Sequence, residues 1–350
     1  MSGLMDTAKS LARAAISYRY NRLDAKFAKI ALQTLEAQGS PLPDTLRKRC
    51  DAYAVEVLGQ AKYAPWLYVY AHVAGEFRDG WITDSFYGER VVPRIAGAYG
   101  EVSTLRSLNV RLFDAPEFPD LGAHVHGIFT DRDGNAVAEE HIADALFASD
   151  DRIAFKTDLS QAGEGVMFFD RASFDLAAIR RLGNGVFQGF IHQNPVFLEL
   201  SGSPSVATVR LTTASDDSGK VSLRAAFLRL GRASDDHIRS ASHLRIPLDH
   251  TSGQLADECY MTNWQRIARH PDSNKAFADY AVPNFADCRN VAIRCHEKLP
   301  AVRCIGWDMA VDRDGKVKII EWNGGHNDVK FGEATQGPCF ADLNWHRFRA

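Results

Sequence analysis

No apolar run in this chain approaches the ~20 residues that a membrane-spanning helix requires, so no transmembrane segment is expected in it. The six cysteines (Cys50, Cys259, Cys288, Cys295, Cys304 and Cys339) show no CxxC or zinc-type spacing. Neither a zinc ribbon nor a disulfide framework is expected, and the cysteines read as free thiols in a reducing cytoplasm. Charge of one sign is also missing. Forty-one basic against 44 acidic residues leave a net charge of −3, which gives no electrostatic footprint for nucleic acid. Residues 1–20 lack the apolar core of a secretory leader. Internal repeats and low-complexity tracts are absent, and so is the Gly-Lys-Ser/Thr ending of a P-loop. What is present is ordinary for a globular protein, 45% apolar and 24% charged over 350 residues, enough for two or three sub-domains.

Residues 5–64 read as helical, with a break at Gly39-Ser40-Pro41-Leu42-Pro43 and Asp44 placed to cap the next helix. The first thirty residues are locally basic (Lys9, Arg13, Arg19, Arg22, Lys26, Lys29). They fit either an interfacial helix or a solvated surface helix. The aromatics of 65–105 read as core. From about 106 the pattern becomes strand-rich with Asp/Gly turns, interrupted by helical stretches near 137–148, 173–182 and 284–297. Strands, hairpins and helices mixed in this way predict an α+β fold. The expected divisions are a helical region 1–105, a small sub-domain 106–194 and a C-terminal sub-domain 195–350.

Chemistry concentrates in one hairpin. Asp314-Gly315 is a two-residue turn signal between apolar runs. With the turn centred there, Asp308 faces Glu321, and Asn323 lies on the same face. That count puts Ala310, Val317 and Ile319 on the acidic face and Trp307, Met309, Val311, Ile320 and Trp322 on the other, so the hairpin is expected to be interior. Opposed carboxylates are unfavourable unless a cation lies between them. Two carboxylates with an amide oxygen suit Mg²⁺. The hairpin by itself also admits a plain solvated face.

A second feature is strand, glycine-rich loop, strand: Ile153–Lys156, Ser160–Gly165, Val166–Phe169. Gly163 and Gly165 let the backbone approach a ligand. Loop amides and the Ser160 hydroxyl can donate to phosphate oxygens, and Lys156 adds a point charge at the loop base. A plain glycine-turn hairpin is the other reading of this segment. Gly324-Gly325 turns the chain after the acidic strand and carries His326 and Asn327 along the same end.

In order along the chain, these motifs resemble the ATP-grasp superfamily, and most of all its sugar-transfer-associated group. The likeness is carried by Phe155-Lys156 with its loop, Val186–Pro195, Ser205–Arg210, Leu228–Gly231, His270-Pro271, Gly306–Asp308 and Glu321–Asn323. The resemblance implies an ATP-grasp fold with two α+β sub-domains embracing a nucleotide. It also implies ATP and Mg²⁺ as cofactors, with Asp308, Glu321 and Asn323 holding the metal. Lys156, Ser160, Gly163 and Gly165 would meet the phosphates. Gln188, Gly189, Phe190 and Ile191 would hold adenine at the hinge, with Phe190 and Ile191 as apolar walls and the Gly189–Ile191 backbone as polar partner. Arg210 would serve the γ-phosphate, and Arg229, His326 and Asn327 the substrate. Ala207 replaces the family's usual Asn, and Asp236-His237 and Ser242-His243 blur its later motifs. Arg106 stands in the region of an earlier family lysine. The activity implied is an ATP-dependent carboxylate–amine ligase working through an acylphosphate, on small and possibly sugar-linked carboxylates and amines in a polysaccharide or glycoconjugate pathway. A small-molecule kinase and a nucleotide-binding module without turnover share the same nucleotide motifs.

Overall fold

A computed structural model describes residues 21–160, 165–232 and 243–349. The chain divides into two compact units. One comprises the described residues up to Ile95 together with Asn263–Arg266 and those from Asp328 onward. The other comprises Ala96–Thr262 and Ile267–Asn327. The sequence partition near 195 falls inside the second unit, between its two sheets.

The first unit is helical. A helix over 21–38 ends at the Gly39–Pro43 break, and helices Asp44–Glu56 and Ala64–Ala74 follow. Asp44 does not cap the second of these. Pro43 occupies the cap position without a side-chain bond, and Asp44 is the first helical residue. There its charge complements the helix N-terminus. Of the aromatics expected in the core, Trp66, Tyr70, Trp81, Phe86 and Tyr87 are buried, whereas Tyr68 and Phe77 are only half-buried and Tyr99 is exposed. Most of the basic N-terminal stretch lies outside the described residues. Arg22, Lys26 and Lys29 are exposed. Among the described residues no helix is long and apolar enough to cross a membrane. All six cysteines are buried and none forms a disulfide.

The second unit contains the strand residues apart from Arg266. A five-stranded antiparallel sheet has the order β2-β1-β5-β3-β4, with β1 Asp120–Val125, β2 Ile128–Asp131, β3 Arg152–Thr157, β4 Val166–Asp170 and β5 Gly185–Gly189. Alternation along β3 and β5 sends Ile153, Phe155 and Phe187 into a core with Ile142, Leu146 and Ile179 of the covering helices Glu139–Leu146 and Leu176–Leu182. Ala154, Lys156, Val186 and Gln188 take the opposite face. They are aligned by the pairs Ala154↔Gln188 and Lys156↔Val186.

A seven-stranded sheet has the order β10-β9-β8-β7-β6-β11-β12. Its strands are β6 Thr208–Ser215, β7 Val221–Leu230, β8 Leu244–Pro247, β9 Cys259–Tyr260, β10 Arg266–Ile267, β11 Cys304–Val311 and β12 Val317–Asn323. Strands β6 and β11 are buried along their whole lengths, whereas β12 alternates between buried and half-buried residues, so of the hairpin expected to be interior only β11 is buried throughout. Helix Phe285–Glu297 packs on this sheet. Its His296 bridges Thr213 Oγ1 (2.7 Å) and Val302 O (2.7 Å), and burial pushes that imidazole down to about 4. The mixture of layers is α+β, as the sequence predicts.

Candidate functional site: a cationic cleft around an acidic hairpin

The register of β11 and β12 places Asp308 directly opposite Glu321, and Gly306 opposite Asn323. The route to that register differs from the sequence count. The turn is a three-residue loop, with Asp312 N–H donating to Lys316 O (2.9 Å), Gly315 N–H to Asp312 O (3.0 Å) and Gly315 at φ +77°. That shifts the pairing by one, so Val311 meets Val317 and Met309 meets Ile319. A bulge at Ile320 then restores Asp308↔Glu321. The faces change accordingly. Val317 and Ile319 lie with Trp307 and Met309, and Lys318 lies with Ala310 on the acidic face.

Strand β6 brings Arg210 directly opposite Asp308 on its other side. Its Nη1 stands 2.7 Å from Asp308 Oδ2, and Gly306 leaves room for the guanidinium beside Asn327. Arg229, paired with Thr208 across β6 and β7, donates from Nη1 to the same carboxylate at 3.3 and 3.5 Å. Burial pushes the Asp308 carboxyl up, but the two arginines outweigh it and hold the group below the usual carboxylate range. Glu321 behaves oppositely. Burial and the facing Asp308 raise it, and Lys156 and Arg106 only partly oppose this.

Lys156 projects from β3 toward this hairpin. Only 9% exposed, its Nζ donates to Ile320 O at 3.2 Å, so the carbonyl of the bulge residue is its acceptor. Burial pushes Lys156 down to about 8, and Glu321, Asp120 and Asp308 pull it back up. Arg106 closes the arrangement. It lies 3.6 Å from Glu321 and donates to Thr157 O (2.8 Å) and Ser160 O (2.9 Å) at the base of the glycine loop. Four cations (Lys156, Arg106, Arg210, Arg229) thus surround the Asp308–Glu321 pair.

In the loop, Ser160 Oγ donates to Thr157 O (2.9 Å), so its hydroxyl proton is already engaged. Gly165 has φ +82°, and a Cβ there would lie 2.2 Å from Thr157 Oγ1, so glycine is required at that position. Gly163 lies outside the described residues. At the end of β5, Gln188 donates its amide to Asp120 Oδ1 (2.6 Å) and Gly189 N–H to Pro119 O (2.8 Å). The Gly189 amide is therefore not available to a base, contrary to the expected backbone role. Phe190 meets Phe168 edge-on, with Arg152 4.7 Å over both rings. Phe190 and Ile191 line a cavity of about 430 Å³ with Phe118, Asp120, Asp150 and His192.

Asn323 donates its amide nitrogen to Gly306 O (3.4 Å). Asn327 is buried, donates weakly to Cys304 Sγ (3.4 Å) and leaves its Oδ1 without a hydrogen bond. His326 is exposed. Two residues take on roles the sequence did not reveal. Asp120 is buried beside Gln188, and Arg106 links loop to hairpin. The signal for Arg106 was its position alone, and for Asp120 there was none.

Residues 176–341 match the model of the family described as sugar-transfer associated ATP-grasp. This stretch belongs to the ATP-grasp superfamily. The matched ATP-grasp segment includes Gln188, Arg210, Arg229, Asp308, Glu321 and Asn323, whereas Arg106, Asp120, Lys156 and the glycine loop precede it. No curated protein matches the chain. Among solved structures, the chain is similar to the biotin carboxylase domain of the 2-oxoglutarate carboxylase of Hydrogenobacter thermophilus, in complex with MgADP, ADP and bicarbonate. The identity is 9% and the TM-score 0.43, with 71% of this chain and 45% of that one covered. It is similar also to the ATP-grasp ligase PsnB with its minimal precursor (12%, 0.41, 73% and 63%). A third likeness is the D-alanine–D-alanine ligase of Coxiella burnetii (12%, 0.39, 71% and 60%). The chain spans 45% to 63% of the length of these structures.

Proposed function

We propose that the chain is an ADP-forming carboxylate–amine ligase that uses ATP and Mg²⁺. The observation that carries this reading is the opposed Asp308–Glu321 pair with Lys156, Arg106, Arg210 and Arg229 around it. The family match at residues 176–341 supports it. The donor set fits magnesium: two carboxylates and an amide oxygen, all hard ligands. Asp308, Glu321 and Asn323 would hold the ion, whose chemistry is to neutralise charge on the terminal phosphates.

The chain's own residues account for the rest. Lys156 and the Ser160–Gly165 loop bind phosphate oxygens. Arg210 and Arg229 supply planar guanidinium donors where charge spreads on the transferring phosphoryl group. A substrate carboxylate oxygen bonds to the γ-phosphorus as the β–γ bridge breaks, leaving ADP and an acylphosphate. The amine nitrogen then bonds to the acyl carbon, and phosphate and a proton leave. Catalysis is by positioning and charge stabilisation, with Asn327 and Arg229 on the substrate side. The assignment of a sugar-linked substrate rests on the family description alone. The test is coupled ADP and phosphate release with pooled carboxylates and amines. Glu321→Ala is expected to lose at least ~10²-fold of that turnover, and unchanged turnover in that variant would remove the metal assignment.

A further inference from the structure

The helix over 21–38 carries two parallel rows of exposed side chains. Leu23, Phe27 and Ile30 recur at i, i+4 and i+7, which puts them on one face, and they are 46%, 61% and 39% exposed. Arg22, Lys26 and Lys29 repeat the same spacing one residue earlier, so a row of cations runs beside the apolar row. All three are exposed, and among the described residues none is in an ion pair. The face that packs inward is a different one, made by Ala28, Ala31, Leu32 and Leu35, all buried. The two acids of the helix are engaged there and at its end. Asp24 is buried and accepts from Trp66 Nε1 (2.8 Å), and Glu36 accepts from Leu42 N–H (3.0 Å) and Arg47 (3.4 Å). Both ends are tied to the body, by Asn21 to Glu89 (3.2 Å) and by Gln38 to the Arg266 backbone (3.0 and 2.8 Å). The two rows are therefore held facing outward.

We propose that this face docks on an anionic lipid surface, with Leu23, Phe27 and Ile30 entering the boundary between headgroups and acyl chains and Arg22, Lys26 and Lys29 meeting the acidic headgroups. An apolar row alone would fit several occupants, and the charge beside it selects among them. An anionic bilayer offers an apolar layer and negative charge side by side, within the reach of one helix. A second copy of the face would bring apolar atoms but no exposed acid, since the exposed charges of the helix are all cations. Residues 1–20 of the same chain carry Lys9, Arg13 and Arg19 against Asp6 alone, so they share the sign of the row rather than complement it. The whole chain carries a net charge of −3, so attraction to such a surface is local to this stretch. The inference is independent of the nucleotide site.

The test is flotation of the full chain with vesicles of phosphatidylcholine alone and of phosphatidylcholine mixed with phosphatidylserine, at low and at high salt. The wild type is expected to bind the mixed vesicles at least about tenfold more tightly than the neutral ones, and to lose that preference at high salt. Replacing Arg22, Lys26 and Lys29 together by Gln is expected to weaken binding to the mixed vesicles by roughly fivefold per charge removed. Leu23→Gln with Phe27→Gln and Ile30→Gln is expected to weaken it by at least about tenfold. Val55→Gln alters an exposed apolar residue of the next helix and is expected to change nothing. Failure of the wild type to bind the mixed vesicles overturns the proposal, as does equal binding by the wild type and both triple variants. A lipid-free melting temperature that the apolar triple variant lowers by several degrees also overturns it, because the row would then be covered by the chain itself. So does a dimeric mass that this variant abolishes, because a second copy would then be the occupant.

Discussion

Burial works against the charge of Lys156. At about 8, its folded value lies below that of a free lysine because burial disfavours the ammonium, and the surrounding carboxylates only partly compensate. Only the protonated form serves a phosphate. ATP affinity is therefore expected to fall as pH rises through about 8. Lys156→Arg keeps its charge at every such pH and is expected to bind more weakly at pH 7 but with a flat profile from 7 to 9.5. Titration calorimetry across that range checks it, and the same decline in both proteins would mean another group is responsible. Lys156 was readable in the sequence because it ends a strand before a glycine loop. Asp120 was not. It opens an unremarkable strand, and only a partner 68 positions away gives it a role. Non-local pairing of this kind leaves no periodic trace.

Asp308 opposite Glu321 was legible from the Asp-Gly turn and the count outward. The faces of Val317 and Ile319 were not, because the longer turn and the Ile320 bulge each shift the strand by one and cancel only beyond Ile320. A bulge has no fixed sequence signature, and the Asp-Gly pair that signals a two-residue turn here belongs to a three-residue one. Asp312 maintains the turn, since its Oδ1 accepts from Asp314 N–H (3.0 Å) and Lys316 N–H (2.8 Å). Asp312→Ala is expected to cost about 1–2 kcal/mol. The effect should appear as a lower chemical-denaturation midpoint with an unchanged slope. An unaltered midpoint would show that the loop is held by its backbone bonds alone.

On the scale of the molecule, composition and pattern were enough to predict the α+β class and a helical N-terminal region, because strand and helix periods differ. The distribution of charge inside the units was not legible. Glu333 of the first unit is fully buried, and its oxygens accept from Ile82 N–H (3.2 Å) and Cys339 N–H (2.9 Å). Burial nevertheless pushes its carboxyl up to about 8. Its folded value stands above the unfolded one, so the unfolded chain releases the proton first as pH rises. The stabilising contribution is therefore complete below the ordinary carboxylate range, declines from there to about 8 and is flat beyond. The melting temperature is expected to fall over that window, and Glu333→Gln, though less stable at low pH, is expected to lose that part of the slope. An identical slope in the variant would assign it elsewhere.

The central claim is that the acidic hairpin and its cations couple ATP cleavage to joining a carboxylate and an amine. The most direct measurement is Mg²⁺-dependent release of ADP and phosphate by the wild type and Glu321→Ala, with pooled carboxylates and amines supplied singly and together. The account predicts stoichiometric ADP and phosphate only when both pools are present, and loss of both products in the variant or on chelation of Mg²⁺. ADP without free phosphate would make the protein a kinase. ATP binding without turnover under every pool, or turnover indifferent to Glu321, would contradict the account.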